Sequence, residues 1–125
     1  MATILIIDDD HFFTELVSLD LLLSGYTVQT ARDPAEGLRA IVDSLPDLIL
    51  LDLDLPYMSG FEVLEALRSD PATRGIPVIM LTAHKDEESH ARCHKIGVDG
   101  FFTKPVQSDT LIEAIAATLA TRAEK

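Results

Sequence analysis

The chain has 125 residues, a net charge of −11 and 47% hydrophobic residues, which suits one compact domain with a sizeable core. The acidity argues against direct nucleic acid binding by this domain, because phosphate contacts require a basic face. No apolar run approaches the roughly 18 residues of a membrane span, so we expect no membrane association. Residues 1–3 lack the basic start of a signal peptide, and the single Cys93 permits no internal disulfide. These features predict a cytoplasmic protein.

Five short apolar segments alternate with five helical patterns along the chain. We predict strands at residues 4–7, 26–31, 48–51, 77–81 and 101–103. The second is the least apolar, so we expect it at an edge of the sheet. The alternation predicts an α/β fold, in which helices cover both faces of a parallel sheet. No linker, repeat or low-complexity segment interrupts the pattern, so we assign residues 1–125 to a single domain.

Several residues mark the ends of the predicted helices. Asp33 and Glu36 have capping-box spacing at the start of the second helix, and Ser59 and Glu62 repeat that spacing at the third. Ser108 is expected to cap the last helix. The expected buried stripe of the second helix contains Leu38, Ile41 and Val42.

The fourth helix, predicted at about residues 84–96, is unusually polar. It contains Lys85-Asp86-Glu87-Glu88 and has few apolar anchors, such as Ala91 and Ile96. Such a helix is either weakly anchored and able to shift, or simply a solvated face.

Polar residues follow four of the five predicted strands. The buried strand at residues 48–51 runs directly into an acid, and right-handed crossovers place the carboxyl ends of all five strands along one edge. Open α/β sheets bind ligands at this edge. The residues expected there are Asp8 and Asp9 after the first strand, Asp52 after the third, Thr82 after the fourth and Lys104 after the fifth.

This set of side chains suits phosphoryl transfer. Three carboxylates repel one another, and a divalent cation with oxygen ligands, such as Mg²⁺, balances them. Lys104 adds a charge for a phosphate oxygen, and Thr82 adds a hydroxyl donor. These are the parts needed to place a phosphoryl group on Asp52. Each residue alone has a simpler interpretation, since an acid after a strand often caps a turn and Thr82 can cap the next helix.

The same residues resemble the receiver domain of two-component response regulators, a chemotaxis-regulator-like fold, over essentially the whole chain. The resemblance implies a flavodoxin-like, doubly wound five-stranded parallel sheet in the order 2-1-3-4-5, with five helices on both faces. The motifs that carry it are Asp8-Asp9, Asp52 with Pro56 and Gly60 four and eight residues later, Thr82-Ala83 and Lys104-Pro105.

The resemblance also implies how the site works. Asp52 would accept a phosphoryl group from a sensor histidine kinase or a histidine phosphotransfer protein. Mg²⁺, or Mn²⁺, would be held by the carboxylates of Asp9 and Asp52 and by the backbone carbonyl of Asp54, with help from Asp8. Lys104 would pair with the bound phosphoryl group.

The resemblance further implies a switch and two positions that tune the lifetime of the phosphate. Thr82 would move toward the phosphate, and Phe101 would turn into the space that Thr82 vacates. The surface of the fourth helix, fifth strand and fifth helix would then signal to a downstream protein or output domain. The resemblance implies that Asp54 and His84 are the positions that would tune the lifetime of the phosphate.

A second interpretation is a phosphatase of the haloacid dehalogenase type, whose first motif is also an apolar strand ending in Asp-x-Asp. Asp52 would then be a catalytic nucleophile and Asp54 a general acid or base. Pro56 replaces the expected Thr or Val, Asp8 and Asp9 precede the nucleophile, and the chain is too short for a cap. We therefore predict a signalling phosphoacceptor rather than an enzyme. The complete set of site residues also disfavours a degenerate receiver that only binds.

Two other groups have open interpretations. His90 and His94 lie four residues apart on a predicted helix beside Cys93, a spacing that can bind a transition metal, although an exposed polar face is simpler. Cys93 is expected to pack rather than react. Tyr57 and Met58 belong either to a kinase-docking surface or to ordinary loop packing.

Overall fold

The computed structural model describes residues 2–123, in which strands and helices alternate as predicted. The strands are β1 (Thr3–Ile7), β2 (Thr27–Ala31), β3 (Leu48–Leu51), β4 (Val78–Thr82) and β5 (Gly100–Thr103). The helices are α1 (His11–Leu23), α2 (Pro34–Asp43), α3 (Gly60–Ser69), α4 (Glu87–Ile96) and α5 (Ser108–Ala123). All strand pairs are parallel and the order is β2-β1-β3-β4-β5, which confirms the predicted fold class.

The central strands are apolar on both sides because helices cover both faces of the sheet. Successive strand residues point to opposite faces. Ile4, Ile6, Leu48 and Leu50 therefore pack with α1 and α5, while their sequence neighbours pack with α2, α3 and α4. Burying each Leu or Ile completely contributes about 1.5–3 kcal/mol, so this double layer holds the ends of β1, β3 and β4 firmly in place. The less apolar β2 lies at the sheet edge, as expected.

The buried stripe of α2 differs from the prediction at one position. Ile41 is 2% exposed and Leu38 is partly buried, but Val42 is 84% exposed. Because the helix turns by about 100° per residue, the neighbour of a fully buried residue points well away from the core. The predicted burial of Val42 is therefore wrong.

Two other helices begin differently from the prediction. α4 begins at Glu87, since Asp86 takes the cap position and accepts a hydrogen bond of 2.9 Å from the Ser89 backbone N–H. Ser108 is itself the first residue of α5, and its hydroxyl donates to Asp20 of α1 rather than capping the helix. The predicted start of α4 and the predicted cap of α5 are both wrong.

The anchor of α4 is Cys93. Its side chain is 0% exposed within the core of the α2–α4 side, whereas Ala91 is exposed and Ile96 is partly buried. The prediction that Cys93 is a packing residue is confirmed, and the prediction of Ala91 as an anchor is wrong. Among residues 2–123, no helix is long and apolar enough to cross a membrane.

Candidate functional site

The carboxyl ends of four strands hold the predicted acids, hydroxyl and ammonium along one edge of the sheet. Hydrogen bonds between the backbones of neighbouring strands continue past the strand ends. The N–H of Asp52 donates to the carbonyl of Ile7 at 3.1 Å, and the N–H of Lys104 donates to the carbonyl of Thr82 at 2.8 Å. The positions of Asp52 and Lys104 are thus set by the rigid sheet rather than by flexible loops.

Three acids gather at this edge. Carboxylate oxygens of Asp8, Asp9 and Asp52 all lie within 4.8 Å of one another. Asp8 is 3% exposed and Asp52 is 6% exposed, while Asp9 is open to solvent. A cluster of oxygen donors with one open side fits a hard divalent cation such as Mg²⁺ or Mn²⁺.

Lys104 joins two of these acids. Its Nζ atom lies 2.6 Å from Oδ2 of Asp8 and 3.3 Å from Oδ2 of Asp52. The same ammonium lies 4.1 Å from the centre of the Phe13 ring, a cation–π contact on its other side. Burial lowers the pKa of Lys104, but the hydrogen bond that it donates to Asp8 and the charges of both acids outweigh this effect and raise the pKa. The ammonium therefore stays charged at neutral pH.

The two buried carboxylates are oriented by their own loops. Oδ1 of Asp8 accepts from the Asp10 backbone N–H at 2.9 Å, and Oδ1 of Asp52 accepts from the Asp54 backbone N–H at 3.2 Å. These are Asx-type turns, which use a short acidic side chain to fold the loop after a strand. In each acid one oxygen is held by the backbone and the other faces Lys104.

Gly60 allows the loop after β3 to close tightly. Its N–H donates to the carbonyl of Leu53 at 2.9 Å, and a Cβ atom here would lie 2.2 Å from the backbone oxygen of Asp52. No side chain fits at that distance. Gly60 thus lets the start of α3 pack directly against the backbone that carries Asp52.

Residues 4–116 match the protein-family model for the response regulator receiver domain. The chain belongs to this family. It is 42% identical over 119 residues to the DNA-binding dual master transcriptional regulator RpaA of Synechocystis, a match that covers 95% of this chain and 49% of RpaA. The chain spans about half the length of the first curated relatives it matches. This match gives the dehalogenase-type phosphatase interpretation no support.

Solved structures show the same fold. A CheY-like receiver domain from Methanospirillum hungatei superposes with a TM-score of 0.93 at 31% identity, covering 99% of this chain and 98% of the other. The Mn²⁺-bound form of response regulator Rcp1 has a TM-score of 0.81 at 26% identity, covering 94% and 91%. The receiver domain architecture therefore extends over essentially the whole described chain.

Thr82 does not cap a helix in this receiver domain. Its side chain is completely buried at the end of β4, and Oγ1 accepts from the His84 backbone N–H at 3.2 Å. Because Asp86 caps α4, the alternative interpretation of Thr82 as a cap is wrong. Its hydroxyl lies on the strand that neighbours β3, the strand that leads into Asp52.

The receiver domain also contains a contact that the sequence did not reveal. Nε2 of His84 lies 2.8 Å from Oδ1 of Asp54, and both side chains are largely exposed. The hydrogen bond with Asp54 raises the pKa of His84, with smaller contributions from the charges of Asp54, Asp86 and Asp52. The two positions that the family resemblance associates with phosphate lifetime are thus in direct contact. Thirty residues separate them, so no local pattern indicates the contact.

The remaining predicted positions lie around the site in different ways. Phe101 is partly buried on β5, and its ring stacks on His90 of α4 with centroids 4.5 Å apart. Tyr57 is 99% exposed with a φ of 72°, a strained value for a residue with a side chain, whereas Met58 packs against the core. Met58 thus contributes to packing while remaining partly exposed, and the docking role of Tyr57 and Met58 stays a prediction.

Burial shifts the titration of Asp8 to higher pH. It raises the pKa of this carboxyl from 3.8 to about 6, against the opposing hydrogen bond from Lys104 and with a further contribution from the charge of Asp52. A raised pKa means that the ionised acid is disfavoured in the folded state. Asp8 therefore costs stability at neutral pH when no cation is bound.

Replacing Asp8 by Asn is expected to stabilise the metal-free receiver domain by about 1–3 kcal/mol at neutral pH. Folded wild type takes up its proton at a higher pH than the unfolded chain does. The free energy of unfolding of wild type therefore rises as the pH falls through about 6 toward 3.8. Over the same range, the difference in free energy of unfolding between wild type and the variant decreases. Urea unfolding in EDTA, followed by circular dichroism at several pH values, measures this difference.

Two controls accompany this experiment. Asp43→Asn removes an exposed acid at the end of α2 and should change the free energy of unfolding by less than about 0.5 kcal/mol. Excess Mg²⁺ should stabilise wild type more than Asp8→Asn, because the cation balances the acid that the variant lacks. If the metal-free Asp8→Asn variant is less stable than wild type at neutral pH, the prediction is wrong. The ion pair of Asp8 with Lys104 would then stabilise the fold by more than the burial of the ionised acid costs.

Proposed function

We propose that this receiver domain accepts a phosphoryl group on Asp52 in a Mg²⁺-dependent reaction. The observation that carries the proposal is the ammonium of Lys104, held within 3.3 Å of Asp52 beside a cluster of three carboxylates. Asp52 is nearly buried, oriented by a backbone N–H and located at the end of a rigid strand. A fixed acid with a neighbouring cation is suited to attack phosphorus, and its surroundings neutralise the charge that develops.

The metal would be held by the carboxylates of Asp9 and Asp52 and by the backbone carbonyl of Asp54, with help from Asp8. When bound, it neutralises charge on the acids and on the phosphoryl oxygens. The Mn²⁺-bound structure of the related Rcp1 supports a divalent cation in this family.

The donor is a phosphohistidine on a sensor histidine kinase or a histidine phosphotransfer protein. An oxygen of Asp52 forms a bond to phosphorus as the nitrogen–phosphorus bond of the donor breaks, and the donor imidazole keeps the electron pair. Lys104 moves its hydrogen bond from Asp52 to a phosphoryl oxygen. Thr82 gives up its contact with the His84 backbone and donates its hydroxyl to the phosphate.

The added group switches a surface at the β5 edge of the sheet. Phosphorylation adds a charge of about −1.5 to −2, which draws Thr82 and Lys104 toward it. Phe101 then turns inward, and the surface formed by α4, β5 and α5 changes for a downstream protein or output domain. The pair of Asp54 and His84 lies beside the site and sets how readily water reaches the phosphate. We place this chemistry in the cytoplasm, which suits a domain whose one cysteine is free and buried.

Incubation with acetyl phosphate followed by intact-mass measurement tests the proposal. Wild type should gain the mass of one phosphoryl group in Mg²⁺ and none in EDTA. Beryllofluoride with Mg²⁺ should shift the NMR signals of Thr82, Lys104 and Phe101. The absence of any adduct, or repeated turnover of a simple phosphate ester, would contradict a phosphoacceptor role.

A further inference from the structure

Two exposed histidines of α4 meet beside Phe101 of β5. His90 and His94 are both exposed, and their Nε2 atoms lie only 2.8 Å apart. Residues four apart share one face of a helix, but the two rings need not point at each other. Here the rings lie side by side, with centroids 4.6 Å apart and an interplanar angle of 33°, so the two Nε2 atoms are next to each other.

The type of ligand indicates which metals the pair suits. The two Nε2 atoms lie at hydrogen-bond distance, so a small adjustment of the rings lets both nitrogens bind one ion. Imidazole is a preferred ligand of Cu²⁺ and Ni²⁺, and nitrogen ligands generally hold these two ions more tightly than Mn²⁺ or Fe²⁺. The pair therefore suits two adjacent positions of a Cu²⁺ or Ni²⁺ ion whose other ligands are water.

We propose that His90 and His94 form a two-histidine site for Cu²⁺ or Ni²⁺ on the exposed face of α4. Without metal, one Nε2–H donates to the other Nε2. When the ion binds, that proton moves to Nδ1 of the same ring, so both Nε2 lone pairs face the metal, and water completes the coordination.

Cys93 is excluded as a third ligand. It lies between the two histidines in sequence, but its side chain is fully buried on the core side of α4. Burial also raises the pKa of its thiol to about 11, so it stays protonated at neutral pH. The site therefore depends on nitrogen ligands alone.

The histidine pair also contacts Phe101, the proposed switch residue. The coupling inferred from this contact rests on the proposed function. The ring of His90 stacks on Phe101 at an interplanar angle of 15°. An ion that holds His90 in place preserves this stack and favours the conformation in which Phe101 lies against α4. Phosphorylation, by turning Phe101 inward, removes the stack. Because such coupling is reciprocal, metal and phosphorylation should each weaken the other.

Nickel titration of the tag-free protein in excess Mg²⁺, followed by calorimetry, tests the site. Wild type should bind one more Ni²⁺ ion than His94→Gln, or bind it at least about tenfold more tightly, since even the loss of an outer-shell partner costs about 10–100-fold. Binding at the acidic cluster is common to both proteins and cancels in the comparison. Because His94 is exposed, the variant should keep its fold, which circular dichroism should confirm.

His11→Gln is the matched control, because His11 is an exposed helical histidine whose neighbour at i+4 is Glu15 rather than a second histidine. It should bind Ni²⁺ as wild type does. The proposed site would be wrong if wild type and His94→Gln bound Ni²⁺ equally well. It would also be wrong if His11→Gln lost as much Ni²⁺ binding as His94→Gln.

A separate experiment tests the coupling between metal binding at the histidine pair and phosphorylation of Asp52. Beryllofluoride should weaken nickel binding to the histidine pair by about fivefold or more. Unchanged nickel affinity, in a protein whose NMR spectrum shows beryllofluoride bound at Asp52, would contradict the coupling and leave the site in place. A spectrum with no beryllofluoride response would instead contradict the proposed function, independently of nickel.

Discussion

The Asp52→Asn variant is expected to gain no phosphoryl group from acetyl phosphate under conditions that fully modify wild type. Asn has nearly the same shape as Asp, but its amide is a poor nucleophile and a weaker ligand for a divalent cation. The variant should remain folded, because it removes one of three mutually repelling carboxylates at the site. Intact mass and peptide mapping after acid quenching provide the measurement.

Asp43→Asn is the matched control for this experiment. It makes the same chemical change at an exposed position at the end of α2 and should be modified as wild type is. A phosphoryl adduct of wild-type yield on Asp52→Asn, or an adduct mapped to a peptide without residue 52, would show that another residue accepts the phosphate.

Gly60→Ala is expected to lower the free energy of unfolding by about 2–4 kcal/mol. The new Cβ would lie 2.2 Å from the Asp52 carbonyl oxygen and 2.7 Å from the Leu53 Cα. Both are backbone atoms beside a buried strand, so neither moves aside cheaply. The resulting shift should also weaken Mg²⁺ binding, because it displaces the backbone next to the proposed ligands. Urea unfolding and a Mg²⁺ titration by NMR measure the two effects.

Gly75→Ala provides the control, because nothing lies within 4 Å of the position of its added Cβ. This variant should unfold within about 0.5 kcal/mol of wild type and bind Mg²⁺ normally. Equal losses in the two variants would indicate a general cost of replacing glycine by alanine, and would argue against the close contact at Asp52.

The fold could be predicted because its main signals are local. Apolar segments of four or five residues alternate with helical patterns, and strands buried on both faces require helices on both sides of a parallel sheet. The proposed site residues were found for a related reason. Once the strands are parallel, Asp8, Asp52, Thr82 and Lys104 must follow them at the same edge, whatever the details of packing.

The errors arose where packing decides between equivalent local patterns. Val42 and Ile41 are both apolar, and only the rotation of α2 against the sheet determines which is buried. Ser108 and Asp86 both suit a helix cap, but Ser108 instead bonds to Asp20 of α1, which lies 88 positions away in sequence. Such choices depend on how separate helices meet, and a single sequence does not encode them locally.

The sequence by itself determined that the sheet is parallel and which acids, hydroxyl and lysine line its edge, because strand periodicity and the direction of a parallel crossover are properties of short segments. The order of the strands came from the family resemblance. Only the tertiary structure decided which side chains touch. The bridge of Lys104 between two acids, the contact of His84 with Asp54 and the stack of His90 on Phe101 each join different elements. Their geometry follows from the docking of helices and loops on the sheet, where a shift of a few ångströms makes or breaks a hydrogen bond.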